Sequence, residues 1–177
     1  MSLKGHDSYP GTALKPWATL QYAVDSIQHG DTILVQAGTY AGCRIEMPGV
    51  QNSPKVLMAA PGAHVVLNRP GAHNKHNSII EIENFSSTVA DWIVAGFEVS
   101  NSPKYGIDVR VTERITVQQN HVHNSALTSL LRSPITSSFR ATKPITTGSM
   151  ASTRATAPSI PPFERTSPIT TLRPAFT

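Results

Sequence analysis

The chain has 177 residues, enough for one domain with a sizeable core, and 39% of them are hydrophobic. Its formal charge of +4 does not mark a basic binding face, because residues 126–177 hold five Arg, one Lys and one Glu and the first 125 residues carry a net −1. That distribution argues against a nucleic-acid partner, the single Cys43 excludes an intrachain disulfide framework, and no apolar run is long enough to span a membrane.

The chain opens on MSLKGHDSYPG, which has no hydrophobic signal region. Leu20, Ala23, Val24 and Ile27 then fall at i, i+3, i+4 and i+7, which predicts one short amphipathic helix. Pro16 precedes it, and Gly30 supplies a left-handed stop just past its end. Asp31 opens a strand, Thr32 to Gln36, closed by Gly38. Short strands follow without further helices: KVLMAA, HVVLNR, SIIEIEN, WIVAGFEV, YGIDVR and ITVQQNHV.

Their spacing is regular. Ile33, Val56 and Ile79 begin strands at intervals of 23 residues, and WIVAGFEVSNS and ITVQQNHVHNS begin 23 apart at Trp92 and Ile115. In the second pair Val94 matches Val117, Val99 matches Val122, Asn101 matches Asn124 and Ser102 matches Ser125. A fixed period of this size predicts stacked rungs, each of three short strands and three turns, with Val and Ile stacking inward and Asn101 on Asn124 at a turn.

The segment DSYPGTALKPWATLQYAVDSIQHGDTILVQAGTY resembles the N-terminal cap and first rung of right-handed parallel β-helix proteins of the pectin-lyase-like superfamily, and GFEVSNSPKYGIDV and ITVQQNHVHNS resemble later rungs. The expected fold is therefore all-β: a right-handed parallel β-helix of about 23 residues per rung over residues 1–125, with a helical cap and an incomplete C-terminal end. In the resemblance a strand usually precedes the G-x-D element. Here only Met1, Ser2 and Leu3 remain of that strand, which suggests a clipped start and makes the missing signal region weak testimony. The resemblance implies an extracellular or periplasmic parent, a polysaccharide partner, usually acidic, and calcium as a possible cofactor.

Residues 126–177 break the pattern. Half of them are Ser, Thr or Pro, and Asn, Asp, Gln, His, Tyr, Trp, Val and Cys are absent. Such a tail reads as disordered or as an O-glycosylated stalk. Codon arithmetic offers another reading. Ser (as TCN), Thr, Pro and Ala share a middle C and make up 32 of these 52 residues, as a frameshift near Ala126 to Leu131 would produce in a gene favouring C at third positions. One allowed shifted decoding from Met150 onward alternates as strands do. The last rung would then present unpaired edges open to self-association.

Chemistry is sparse. In SIIEIEN, Ile80 and Ile82 alternate with Glu81 and Glu83; in YGIDVR, Ile107 and Val109 alternate with Asp108 and Arg110. Stacking puts Glu81 below Asp108, a carboxylate pair that can share a hard cation, and Glu83 below Arg110, a pair expected to be a solvated salt bridge. Arg110 and Asp108 are the catalytic candidates, and Glu81, Glu83 and Tyr105 the substrate-binding candidates. His121 and His123, at i and i+2, are metal candidates beside Glu81 and Asp108, with no third ligand in view; His73 and His76 form a loop H-x-x-H. Trp92, Phe97, Tyr105 and Tyr40 are either a sugar-stacking platform or core, with Trp92 and Phe97 favouring the core. No serine-nucleophile motif, phosphate loop or zinc-spacing cluster occurs. Three functions stay open: a fragment of a polysaccharide lyase-like enzyme (or a related hydrolase or epimerase), a non-catalytic glycan-binding or adhesion β-helix, and the inactive product of a disrupted gene.

Overall fold

A computed structural model describes residues 1–132 and 138–140. After the helix α1 (Leu20–Ser26), three short strands make each rung. The first holds β1 (Thr32–Val35), β2 (Gly38–Ala41) and β3 (Cys43–Ile45); the second β4 (Lys55–Ala59), β5 (Val65–Arg69) and β6 (Ile80–Ile82). The third holds β7 (Val89–Ala95), β8 (Glu98–Ser100) and β9 (Tyr105–Arg110); the fourth β10 (Thr112–Gln118), β11 (His121–His123) and β12 (Leu127–Arg132). β13 (Ser138–Arg140) opens a fifth. All pairings between these strands are parallel, in three sheets: β1-β4-β7-β10-β13, β2-β5-β8-β11 and β3-β6-β9-β12. The protein is a parallel β-helix.

The core follows from the registers. Ile33, Leu57, Val94 and Val117 stack up the first sheet, Tyr40, Leu67, Val99 and Val122 up the second, and Ile45, Ile82 and Val109 up the third, all buried. Fully burying such side chains contributes about 1.5–3 kcal/mol each. Trp92 and Phe97 are wholly inside, and Tyr40 is buried with its hydroxyl donating to Gln36 O at 2.9 Å, so of the four aromatics only Tyr105 is half-exposed.

At the lower end two groups pair with the backbone of the first rung as a strand would. The Gln21 amide on α1 mimics a strand backbone, accepting from Arg44 N at 2.8 Å and donating to Arg44 O at 2.9 Å. Met1 does the same for β1, its ammonium donating to Leu34 O and its carbonyl accepting from Gln36 N. Thr19 is the helix N-cap, accepting from Tyr22 N. The expected glycine stop does not form: α1 ends at Ser26 with Ile27 extended, and Gly30, at φ 82°, shapes the next turn instead. No described helix is long and apolar enough to cross a membrane.

Two register expectations need correction. Ile33 pairs with Leu57 and Val56 with Ile93, while Ile79 precedes β6 in a different sheet. Loops 46–54 and 70–79 lengthen the lower rungs, so partners there are up to 37 residues apart (Cys43 with Ile80, Lys55 with Trp92); the first 23-residue interval joins the paired strands β1 and β4 one residue out of register, and the second joins β4 to the residue before β6, in a different sheet. The upper interval is real: Trp92 pairs with Ile115, Val94 with Val117 and Val99 with Val122. WIVAGFEV and ITVQQNHV are each two strands, split at Gly96 (φ 82°) and Gln119 (φ 56°). Left-handed residues recur every 23 positions, Asp91 with Arg114, Gly96 with Gln119 and Asn101 with Asn124, so the corners stack as the strands do. An amide also bridges rungs: Asn120 accepts from Phe97 N at 2.9 Å and donates to Val94 O at 3.0 Å.

β12 and β13 lie beyond Ala126 and pair with β9 and β10. Most of the Ser/Thr/Pro-rich tail, residues 133–137 and 141–177, falls outside the described residues.

Candidate functional site

The outer face of the β3-β6-β9 sheet gathers most of the charged candidates. Glu81 pairs with Asp108 in register, and Arg44 lies one rung below Glu81. The alternation that turns Ile80 and Ile82 inward turns Glu81 and Glu83 outward, but loop 70–79 folds over that face and buries both carboxylates. Glu81 is the reason the loop lies there. Its Oε2 accepts from Lys75 N at 2.7 Å, and its Oε1 from His76 N at 2.7 Å and Ser78 N at 3.3 Å.

Glu83 is not the solvated partner expected of it. It is 1% exposed, with His76 Nε2 at 2.8 Å, Arg44 Nη2 at 3.4 Å and Arg110 Nε at 3.8 Å. Arg44, itself buried, also pairs with Glu46 at 3.0 Å. Asp108 is buried and takes Arg110 in a two-pronged grip, Nε to Oδ1 at 2.8 Å and Nη2 to Oδ2 at 2.6 Å. Burial works against the Arg110 charge, but the hydrogen bonds to Asp108 and the nearby Asp108 and Glu83 charges outweigh it, and its pKa is raised.

This arrangement does not fit calcium at the Glu81–Asp108 pair. The ion takes six to eight oxygens, whereas both oxygens of Glu81 are committed to backbone N–H groups and both oxygens of Asp108 to one guanidinium.

At the edge of this face Tyr105 is half-exposed. Lys104 Nζ lies 5.4 Å and Arg110 Cζ 5.9 Å from its ring centroid. Ser102 holds the turn beneath, its hydroxyl donating to Tyr105 O at 2.6 Å and accepting from Lys104 N at 3.3 Å. The result is an aromatic surface flanked by two cations.

His121 and His123 lie elsewhere, on β11 in the second sheet, and the structure supplies the third group the sequence reading lacked. Glu98 is the register partner of His121. Its Oε1 is 2.9 Å from His123 Nε2 and its Oε2 2.7 Å from His64 Nε2. Those hydrogen bonds, first from His64 and then from His123, hold the Glu98 carboxyl below its usual pKa. His73 and His76 do not converge: His76 faces Glu83, and His73 borders a groove against α1. Burial pushes the Cys43 thiol up to about 12, as suits an inert core residue.

A family model for the "Pel9A-like, right handed beta helix region" matches residues 1–144. The chain belongs to the Pel9A-like right-handed β-helix family. Among solved structures, this Pel9A-like chain resembles a rhamnogalacturonan lyase (TM-score 0.50, 16% identity, covering 67% of this chain and 35% of that one). It also resembles the pectate lyase Pel9A (TM-score 0.51, 17% identity, 68% and 33%). It thus spans about a third of the length of each. No curated protein matches the sequence.

Several partners in the Pel9A-like chain escape a linear reading. His76 reaches Glu83 only because loop 70–79 folds back, and Arg44 reaches it from β3 across a pairing whose 37-residue separation the 23-residue period does not announce. Glu98 was readable, because it stands one 23-residue repeat before His121.

Proposed function

We propose that the chain is part of a polysaccharide lyase-like β-helix protein working outside the cell or in the periplasm, and that the Tyr105 face holds an acidic polysaccharide. The observation that carries this reading is the half-exposed Tyr105 ring with Lys104 and Arg110 against it. The apolar face of a pyranose stacks on such a ring while its carboxylate meets the cations. Family membership and the two lyase fold neighbours support the choice of substrate class. Arg110 is assigned to binding the uronate carboxylate and Asp108 to holding Arg110 in place. A guanidinium whose proton is stabilised by Asp108 is a poor base, so the proton abstraction of an eliminating lyase is assigned to parts of the whole protein other than these two residues. Calcium is proposed only for the whole protein, at residues other than the Glu81–Asp108 pair.

The test is incubation of the chain with polygalacturonate and with rhamnogalacturonan, with and without calcium. Retention on the acidic polymer without unsaturated product is expected. Turnover by the chain alone would contradict the role given to Arg110, and failure to be retained would contradict the reading altogether.

We also propose that the far tail is read out of frame, which makes the chain a product of a disrupted gene. The pairing of β12 and β13 and a family match to residue 144 support a boundary later than Ala126. Sequencing the DNA tests it: an intact frame with no β-helix-like reading in the alternate frame refutes it.

A further inference from the structure

The outer face of the β5-β8-β11 sheet carries a second cluster, on a different sheet from the Tyr105 face. His121 and His123 project on one side of β11 with their rings stacked, centroids 4.8 Å apart and planes at 29°. Glu98 sits across from His121 on the rung below. The ligand atoms of Glu98, His121 and His123 all lie within 4.8 Å of one another, and all three side chains are half-buried. The hydrogen-bonding partners of Glu98 are imidazoles, His123 on one oxygen and His64 on the other.

We propose that this face binds one divalent first-row transition-metal ion of the zinc class through His121, His123 and Glu98. The rung geometry supplies the convergence. Adjacent strands are about 4.8 Å apart and same-face residues along a strand alternate by two, so one carboxylate and two imidazoles meet at one point. Tetrahedral zinc at about 2.0–2.1 Å from N and O ligands needs those atoms about 3.4 Å apart. The side chains reach that spacing by small rotations at the surface, without moving the backbone. Two imidazoles and one carboxylate suit zinc or cobalt rather than calcium, which prefers an all-oxygen shell. Three protein ligands leave the fourth position to water or to an incoming group. His64, on the second oxygen of Glu98, orients the carboxylate as an outer-shell partner.

The experiment is a titration of the full chain, free of any histidine tag, with cobalt chloride, followed by visible absorption, and with zinc chloride, followed by calorimetry. Saturation at one equivalent with tetrahedral-type cobalt bands is expected, and calcium chloride does not displace the ion. His121→Ala and His123→Ala each abolish saturable binding. His64→Ala keeps the one-to-one stoichiometry and weakens affinity about tenfold. His73→Ala, away from the cluster, changes nothing. Far-ultraviolet circular dichroism establishes that each variant is folded, and Glu98→Gln, nearly isosteric, gives an independent loss. Absence of cobalt binding by the folded parent, or binding that survives His121→Ala and His123→Ala, overturns the proposal.

Discussion

Replacing Glu81 separates a structural carboxylate from a metal ligand. Glu81 is fully buried and accepts three backbone N–H groups, those of Lys75, His76 and Ser78. Hydrogen bonds to charged groups are worth about 1.5–3 kcal/mol each. Lys75 is exposed, so its N–H can turn to water; Ser78 is buried and cannot, and His76 only partly. Glu81→Ala should therefore cost about 3–5 kcal/mol. Glu81→Gln keeps one acceptor oxygen but turns an amide donor toward an N–H, and should cost about 1–3 kcal/mol. Urea unfolding followed by tryptophan fluorescence reads both, with and without calcium chloride. Calcium should leave every curve unchanged. If both variants lie within about 0.5 kcal/mol of the parent, the loop does not depend on Glu81. If calcium stabilises the parent but not Glu81→Gln, the carboxylate is a ligand and the account of this face is wrong.

Other perturbations probe the scaffold. Trp92→Ala empties a fully buried site and strands the Met47 carbonyl that the indole bonds at 2.8 Å, and should lower stability by about 3–5 kcal/mol in the same assay. Asn101 holds φ 59°, so Asn101→Gly should be nearly neutral while Asn101→Val costs about 1–2 kcal/mol; equal costs would remove the left-handed corner as the reason for asparagine. The Asp91 carboxyl is held below its usual pKa chiefly by hydrogen bonds from Arg114. A depressed folded-state pKa stabilises above the unfolded value, about 3.9, and that stability is lost as pH falls through the folded value. The urea midpoint should therefore drop on acidification below about pH 4, and less steeply in Asp91→Asn; an unchanged slope would deny the linkage.

Much of the fold was legible because its signals are local. The apolar stripe of α1, the Gly and Asn corners and the Trp92/Ile115 register are written in short stretches of chain. β2 and β3 escaped, since GTYA and CRI are short, Gly-flanked and lack a clear alternation. The lower register misled because loops 46–54 and 70–79 insert residues that a fixed period cannot accommodate. The candidate site was half legible for the same reason. Strand pairing put Glu81 below Asp108 as expected, but exposure depended on the loop folding over that face, which converts both Glu81 and Glu83 from surface groups into buried anchors. Tyr105 kept its exposure because it stands at the strand end, at the turn held by Ser102.

The central claim is that acidic polysaccharide lies on the Tyr105 ring between Lys104 and Arg110. Arg110 is unsuitable for a binding test, because removing it leaves Asp108 buried without its counterion, with only the Ser78 hydroxyl at 3.5 Å, at about 3–5 kcal/mol. Tyr105→Ala avoids that fault, and affinity electrophoresis through gels containing polygalacturonate reads the outcome. Loss of the ring should cost about 1 kcal/mol, a fivefold weaker retardation constant. The parent should pass unretarded through a methyl-esterified polymer that lacks the carboxylates. Equal retardation of parent and Tyr105→Ala, or equal retardation on charged and esterified polymers, would contradict the account.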